Sequence, residues 1–188
     1  MLDIGTAHEL RSATPDAYGI CSNFPISFND VLFDRAEVAM AEHLIDCDAV
    51  PPIPDEWELG THEKRGLFKW GPKRVELHLS RAQREGRSID SGQLRKELVG
   101  MPVLNANVLH YLLSNPLLIP EEWAHKDGQR LGLRICFWGT LYQCGGSASS
   151  RPIIHVPFLY HFGDWDWGLL PLEHEKFGPR EPAAMLGI

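Results

Sequence analysis

The clearest pattern of apolar and polar positions lies in the middle of the chain and predicts a helix. Apolar side chains recur there at intervals of three and four residues, which places four of them on one helical face: Leu104, Val108, Tyr111 and Leu112. Asn105 or Asn107 can cap the start of the helix by accepting a backbone N–H. Asn115 precedes a proline, which disfavours the α conformation, so the helix ends there.

Three earlier segments also have helical spacing. Apolar residues share one face over residues 31–47, and a proline opens a second predicted helix over residues 72–85. Asp90 or Ser91 can cap a third helix over residues 91–100, where a glycine ends it.

The C-terminal third alternates apolar and polar positions, which predicts three strands in an antiparallel meander. These strands cover residues 131–142, 153–162 and 165–172, and a strand at residues 67–70 can join them. Pro157 indicates an edge or a bulge in the second strand, because proline has no N–H for the ladder.

One face of this sheet is expected to pack on the helices. Alternation assigns the more apolar set of side chains to that face: Ile154, Val156, Phe158, Tyr160, Trp165, Trp167 and Leu169. The side chains of the opposite set, which include Leu159 and Leu170, then face outward. With residues 173–180 they form the candidate contact surface.

A five-residue phrase occurs twice, as IPDEW at residues 53–57 and as IPEEW at residues 119–123. Proline suits a first helical position and acids suit the positive end of the helix dipole, so each copy predicts one helical turn. The tryptophan of each turn is expected to be buried. With three tryptophans of the predicted strands, they make up the candidate anchors: Trp57, Trp123, Trp138, Trp165 and Trp167.

Together these elements predict an α+β fold, in which a helical N-terminal and central part packs on a small C-terminal antiparallel sheet. Residues 1–50 are interpreted as an N-terminal segment with one helix and a weakly organised start. Residues 51–188 are interpreted as a single α+β domain. Within it, helices are expected at about residues 72–115 and antiparallel strands at about residues 131–172.

The net charge of −7 is unevenly distributed along the chain. Residues 1–62 carry twelve acidic and two basic side chains, whereas residues 63–100 carry ten basic and five acidic ones. The basic region can meet nucleic acid, or equally the acidic N-terminal segment of the same chain. No stretch approaches the roughly 20 apolar residues of a membrane span, and the start lacks a signal-peptide pattern. We therefore expect a cytoplasmic protein without membrane contact.

Ionisable side chains cluster near the predicted last strands. Imidazoles and carboxylates there can bind a metal or share a proton: His155, His161, Asp164, Asp166, Glu173, His174 and Glu175. Their spacing matches no metal or catalytic motif, and the cysteines form no C-x-x-C pair. We expect solvated side chains here and no metal or cofactor. Together with Leu170, this set is the candidate binding surface for a partner.

Several phrases from residue 46 onward resemble a family of bacterial hypothetical proteins. They are DCDAVPPIPDEW at residues 46–57, PVLNANVL at 102–109, LIPEEW at 118–123, FWGTLY at 137–142, WDW at 165–167 and PAA at 182–184. The resemblance brings no activity with it.

The C-terminal segment also resembles the variable ends of proteins that retroelements diversify. Such ends are rich in Trp, Tyr, Asn and Asp, and the likeness implies a fixed scaffold whose surface side chains bind partners. Residues 154–181 depart from that composition, because they contain no Asn and a single Tyr, Tyr160. The resemblance is therefore compatible with a fixed binding surface.

No motif in the chain specifies a reaction. The aromatic C-terminal segment predicts a non-enzymatic binding module that presents its C-terminal sheet and loops to a protein or another ligand. Two alternatives stay open. One is a nucleic-acid-associated regulatory protein that uses residues 63–100, and the other is an enzyme of unknown class that uses the C-terminal His and acid cluster.

Overall fold

A curled sheet of seven strands, shaped like half a barrel, forms the centre of the fold. The computed structural model describes residues 42–124, 132–145, 151–173 and 176–187. The strands are β1 (Leu44–Asp46), β2 (Trp57–His62), β3 (Leu67–Lys69), β4 (Val75–His78), β5 (Ile89–Asp90), β6 (Ile135–Cys136), β7 (Thr140–Cys144), β8 (Ile153–Phe162), β9 (Asp164–Pro171), β10 (Lys176–Phe177) and β11 (Ala183–Leu186). The α-helices are α1 (Arg81–Arg84), α2 (Ser91–Leu98) and α3 (Ala106–Ser114), and 3₁₀ turns occupy Pro72–Arg74, Pro116–Leu118 and Glu121–Trp123.

Strand β8 organises the sheet because it has neighbours on both sides. β9 pairs with it antiparallel from Phe162 opposite Asp164 to His155 opposite Pro171. On the other side, β7 pairs with the start of β8 and β6 pairs further along. β2 continues the sheet beyond β7, while β11 and then β4 continue it beyond β6. Pro157 lies between the pairings with β7 and β6, so its missing N–H falls where β8 changes partner.

Hydrophobic side chains pack against both faces of this sheet. The first core lies on the face that α3 covers and includes Phe68, Trp70, Leu109, Leu112, Trp123, Phe137 and Leu159. The second core lies beside α2 and the β5–β10 ladder and includes Ile89, Leu94, Leu98, Trp138, Val156, Leu170 and Phe177. Adjacent residues of one strand divide between the two cores, as Ile135 and Cys136 of β6 do. The sheet is therefore the middle layer of the fold.

A buried polar junction holds the start of α3 against the sheet. The Thr140 side-chain oxygen accepts a hydrogen bond from the Ala106 N–H (2.9 Å) and bonds to Nδ1 of His62 (2.8 Å). The other ring nitrogen of His62, Nε2, lies 3.0 Å from the Cys47 carbonyl oxygen. Because a carbonyl only accepts, Nε2 of His62 donates to the Cys47 carbonyl oxygen.

Asn105, the N-cap of α3, completes this junction. Its Oδ1 accepts from the Asn107 N–H (3.2 Å), and its Nδ2 donates to the carbonyl oxygens of Cys47 (2.9 Å) and Glu63 (3.0 Å). Gly139 permits the backbone before β7 to approach the backbone at the start of α3 closely. A Cβ at that position would lie 2.9 Å from the carbonyl oxygen that precedes Asn105.

The predicted α+β fold is wrong, because strand residues outnumber helical ones and the three helices are short. No helical part packs on a small C-terminal sheet; a seven-stranded half-barrel organises the described chain instead. Its additional strands are β2, β4 and β11, whose local patterns predicted no strand. Each is short, and β2 and β4 pair with strands far away in the sequence, so tertiary pairing decides their conformation more than local preference does.

Helices α2 and α3 are confirmed with predicted caps, Asp90 and Asn105. The helix predicted over residues 72–85 is wrong. A 3₁₀ turn, β4 and the single-turn helix α1 replace it, because the alternating residues of β4 pair with β11. The predicted helix over residues 31–47 is wrong at its end, where β1 forms, and residues 31–41 lie outside the described part of the chain.

The predicted C-terminal meander is confirmed as β7, β8 and β9. Its first predicted strand is divided into β6 and β7, and the strand at residues 67–69 pairs with β1 outside the large sheet. Among the predicted anchors of this region, Trp138 is buried, whereas Trp165 and Trp167 are half-buried against the first core.

The assignment of a single buried face to the hairpin is wrong, because side chains from both of its faces enter a hydrophobic core. Residues that pair across the ladder lie on the same side. Leu159 pairs with Trp167 and faces the first core, whereas Val156 pairs with Leu170 and faces the second. The predicted core set combined Val156 with Trp167 and so mixed the two sides. Leu159 and Leu170, which were expected to face outward, are buried.

The repeated phrase forms the same backbone hydrogen bond twice. The Trp57 N–H donates to the Pro54 carbonyl (3.1 Å), and the Trp123 N–H donates to the Pro120 carbonyl (3.0 Å). The second copy is the predicted helical turn, and its Trp123 is 5% exposed, which confirms the anchor. In the first copy Glu56 has a φ of 66°, no helical turn forms, and Trp57 is only half-buried. The expected burial of Trp57 is therefore wrong.

We expect the substitution Trp123→Ala to lower the free energy of unfolding by about 3–5 kcal/mol, because it removes a ring from the first core, where Trp70 packs against it edge to face. Urea denaturation followed by circular dichroism measures the change. Trp57→Ala is the matched control and should cost clearly less, since Trp57 is half-buried. Equal losses for the two variants would contradict the role assigned to Trp123.

Candidate functional site

A cleft of about 540 Å³ opens on the second-core side of the β8–β9 hairpin. The hairpin supplies one side of the cleft, and residues 132–134 and 180–181 supply the opposite wall. We call it the hairpin cleft. Its position follows from the register of the hairpin, because the side chains that share the face of Val156 and Leu170 emerge there.

Aromatic side chains at alternate positions of β8 line the cleft. Phe158, Tyr160 and Phe162 share a face of the strand, and the rings of Phe158 and Tyr160 lie 5.5 Å apart at 36°. Gly168, which is opposite Phe158 on β9, makes room for the first ring. A Cβ at Gly168 would lie 2.7 Å from the edge of the Phe158 ring. Phe162, at the end of the hairpin, is 79% exposed.

An ion pair forms the opposite wall of the cleft. Arg134 donates from Nε (2.9 Å) and Nη2 (2.6 Å) to one oxygen of Glu181, and its guanidinium lies 5.9 Å from the centre of the Phe158 ring. The other carboxylate oxygen of Glu181 accepts from the Gly178 N–H (2.7 Å). The Glu181 side chain is 9% exposed and that of Arg134 is 38% exposed. Glu181 therefore holds the guanidinium from behind, and Arg134 is the member of the pair that reaches the cleft.

The wall is tied to the rest of the fold through Gln83 of α1. Its Nε2 donates to the carbonyl oxygens of Gly178 (2.8 Å) and Glu181 (3.0 Å), and its Oε1 accepts from the Ser80 N–H that begins α1. Gln83 is buried, so these bonds fix the loop that carries Glu181. The cleft thus has a rigid cationic wall and an aromatic floor.

Acidic side chains lie beyond the aromatic floor, on the same face of the hairpin. Asp166 accepts a hydrogen bond from the Tyr160 hydroxyl (3.2 Å). Burial, together with this hydrogen bond, raises the pKa of Tyr160 above its ordinary value, so the hydroxyl stays protonated and donates. The cleft therefore has a cationic inner wall and an acidic outer rim.

The structure divides the predicted site residues between two faces. His155 and His161 alternate with the aromatic residues of β8 and belong to the first-core side, although His161 also lines the cleft, whereas Asp164, Asp166 and Leu170 lie on the other side with the cleft. Two of the outward assignments are therefore corrected: Leu170 belongs to the second core and lines the cleft floor, and His155 is buried.

His155 is held in place by its neighbours. Its Nδ1 donates to the Ile153 carbonyl (3.1 Å), and its ring meets that of Trp57 edge to face at 4.6 Å. Glu173 is exposed just after β9. His174 and Glu175 lie outside the described residues, so the structure places only part of the predicted cluster.

The predicted surface included Gly168 and Arg180 but omitted other residues that line the cleft: Arg134, Phe158, Phe162 and Glu181. Alternating aromatics in β8 were a usable signal for the floor. Arg134 and Glu181 are 47 positions apart and belong to no motif, so sequence spacing carried no signal for the wall.

The described residues offer little support for metal or thiol chemistry. No group of three or more His, Cys, Asp or Glu side chains among them is arranged to hold a metal ion. Burial raises the pKa of the Cys47 thiol to about 11 and also raises that of Cys136, so both thiols stay protonated at neutral pH and are poor nucleophiles.

Part of the basic region surrounds a shallow depression of about 560 Å³. Arg81, Arg87 and Lys96 line it, together with Glu97. Glu85 pairs with both arginines, at 2.9 Å from Arg81 and by a short contact with Arg87. Glu85 therefore compensates part of the positive charge at this depression.

Comparisons of the chain with models of protein families, with curated proteins and with solved structures find no match. The resemblance to a family of bacterial hypothetical proteins stays a prediction. Within the described ranges, none of the helices has both the length and the apolar character that crossing a membrane would require.

We expect the stability of the protein to fall as the pH drops below the ordinary histidine value of 6.5, in part because of His110. Burial against the Trp167 ring, 4.7 Å away, lowers the pKa of His110 in the folded state. The unfolded chain therefore takes up a proton first as the pH falls, and protonation favours unfolding. Urea unfolding at about pH 7.5 and about pH 5.5 measures this dependence.

The variant His110→Phe should lose less stability than the wild type between these two pH values, because it keeps a ring and removes the titrating group. Ser114→Ala, at an exposed position of the same helix, is the control and should retain the wild-type dependence. An unchanged dependence in His110→Phe would exclude this role for His110.

Proposed function

We propose that the protein is a non-enzymatic, cytoplasmic binding module whose binding site is the hairpin cleft. The observation that carries the proposal is the combination of an aromatic floor, Phe158 and Tyr160, with a fixed ionic wall, Arg134 and Glu181. Small-molecule sites are commonly clefts of roughly 300–1,000 Å³ with mostly apolar walls and a few placed polar groups. The hairpin cleft, at about 540 Å³, fits that description.

The proposed site includes part of the contact surface expected from the sequence, but its centre is the hairpin cleft. Asp164 and Asp166 stay at the rim on the cleft side, and His155 lies away from the cleft, whereas His161 belongs to its lining. The exposed ring of Phe162 extends the aromatic row beyond the cleft and can contact the part of a ligand that protrudes.

Phe158→Leu should abolish or strongly weaken the binding of ring-bearing small molecules, because it replaces the central ring of the floor with a side chain of nearly conserved volume. A library of neutral, cationic and anionic ring-bearing fragments, screened by ligand-observed NMR, tests this. Leu67→Ala changes an exposed apolar residue that does not line the cleft and should leave binding unchanged. If no fragment distinguishes Phe158→Leu from the wild type, the proposed site is wrong.

A second candidate function is nucleic-acid association through the depression that Arg81, Arg87 and Lys96 line. Binding of this kind depends on phosphate contacts and weakens steeply with salt. The wild type should then shift random single- and double-stranded DNA or RNA at low salt, and the triple substitution of these residues by Gln should remove the shift. Absence of any shift at low salt would eliminate this candidate.

A further inference from the structure

The hydrogen bonds of Arg134 leave one side of its guanidinium available. Glu181 accepts from Nε–H and from one N–H of Nη2, so it occupies the edge of the guanidinium group that these two nitrogens form. Among the described residues, no hydrogen bond involves Nη1. An arginine has five N–H donors in a fixed fork, so the end formed by Nη1 and the second N–H of Nη2 remains for another acceptor.

That free end suits an oxyanion. Two parallel N–H groups match the two oxygens of a carboxylate, and the arrangement is stronger and more directional than a single contact. The guanidinium is already fixed by a largely buried carboxylate and lies against the Phe158 ring, so a ligand need not order it. An arginine held in this way is a ready-made receptor for a carboxylate.

The charge of the cleft lining favours an anion at the inner end. Arg134 lies at this end with one carboxylate, Glu181, which engages only one edge of the guanidinium. The negative charge of Glu181 is further balanced by the Gly178 N–H. At the outer rim, Asp164 and Asp166 disfavour an anion. A ligand with a single negative charge would therefore orient its charged end toward Arg134.

The aromatic floor specifies the rest of the ligand. Phe158 lies beside Arg134, and Tyr160 continues the floor 5.5 Å further along β8. A planar ring attached to the anion by a short linker would lie against these rings, in an offset or edge-to-face arrangement. The size of the cleft limits such a ligand to a small molecule.

Resting on the proposed function, we infer that the hairpin cleft binds a small aryl carboxylate, with its carboxylate on the free fork of Arg134 and its ring against Phe158 and Tyr160. Three probes separate the two recognition elements. 3-Phenylpropionate has both the ring and the charge, 3-phenylpropanamide keeps the ring without the charge, and propionate keeps the charge without the ring. Isothermal titration at neutral pH with the full chain measures their affinities.

We expect 3-phenylpropionate to bind at least about 10-fold more tightly than 3-phenylpropanamide, since the bidentate contact is charge-assisted. Propionate should bind more weakly than either. Arg134→Lys should reduce the preference for the carboxylate to less than about 3-fold, because lysine keeps a positive charge for Glu181 and lacks the planar fork. Binding of the amide should change little in this variant.

The outcomes separate this inference from the proposed function. If the amide binds as well as the carboxylate and Phe158→Leu weakens both, the cleft is a binding site and the assigned ligand class is wrong. If neither ring-bearing probe binds, the inference is overturned, and the fragment screen decides whether the cleft binds anything. Should Arg134→Lys fail to fold, the comparison of the three probes on the wild type still decides.

Discussion

The fold depends on the polar junction at the start of α3. A helix start exposes backbone N–H groups that need acceptors. Here Asn105 and Thr140 supply them, and the same side chains reach the carbonyls of Cys47 and Glu63 and the ring of His62. The same hydrogen-bond network therefore caps α3 and joins it to β2, β7 and the turn after β1. Each partner lost in such a buried network leaves another group unsatisfied, at a cost of about 1–3 kcal/mol.

With α3 fixed on one face and the second core on the other, the sheet is the middle layer of the fold. The middle position of the sheet explains why the sequence did not predict the buried faces of β8 and β9 correctly. Alternation correctly predicted β8 and β9 and separated the side chains within each strand, but it combined the sets of the two strands wrongly. It could not decide which set was buried, since both are: Leu159 faces the first core and Val156 the second. A strand that is buried on both faces loses the polar and apolar contrast on which the assignment of faces depends.

Local sequence signals were reliable where the interacting residues are close to each other in the sequence. Asp90 and Asn105 cap their helices as expected, and Trp123 ends a turn that its own proline begins. Signals failed where the partner lies far away in the sequence. Val75–His78 has an apolar spacing that suits a helix, yet pairing with β11, more than a hundred residues later, makes it a strand. The cleft wall is an extreme case, because only the folded structure brings Arg134 to Glu181.

The same dependence on distant partners distinguishes two parts of the candidate site. Glu181 bonds to Arg134 and to the Gly178 N–H, and Gln83 holds the backbone around it, so a change at Glu181 would disturb both the wall and the loop. Phe162, at the tip of the hairpin, is exposed and can vary without affecting the core. A surface with this arrangement can keep one recognition element constant while its rim changes. Specificity for the anionic end of a ligand would then be built into the fold, whereas specificity for the protruding end would depend on the hairpin tip.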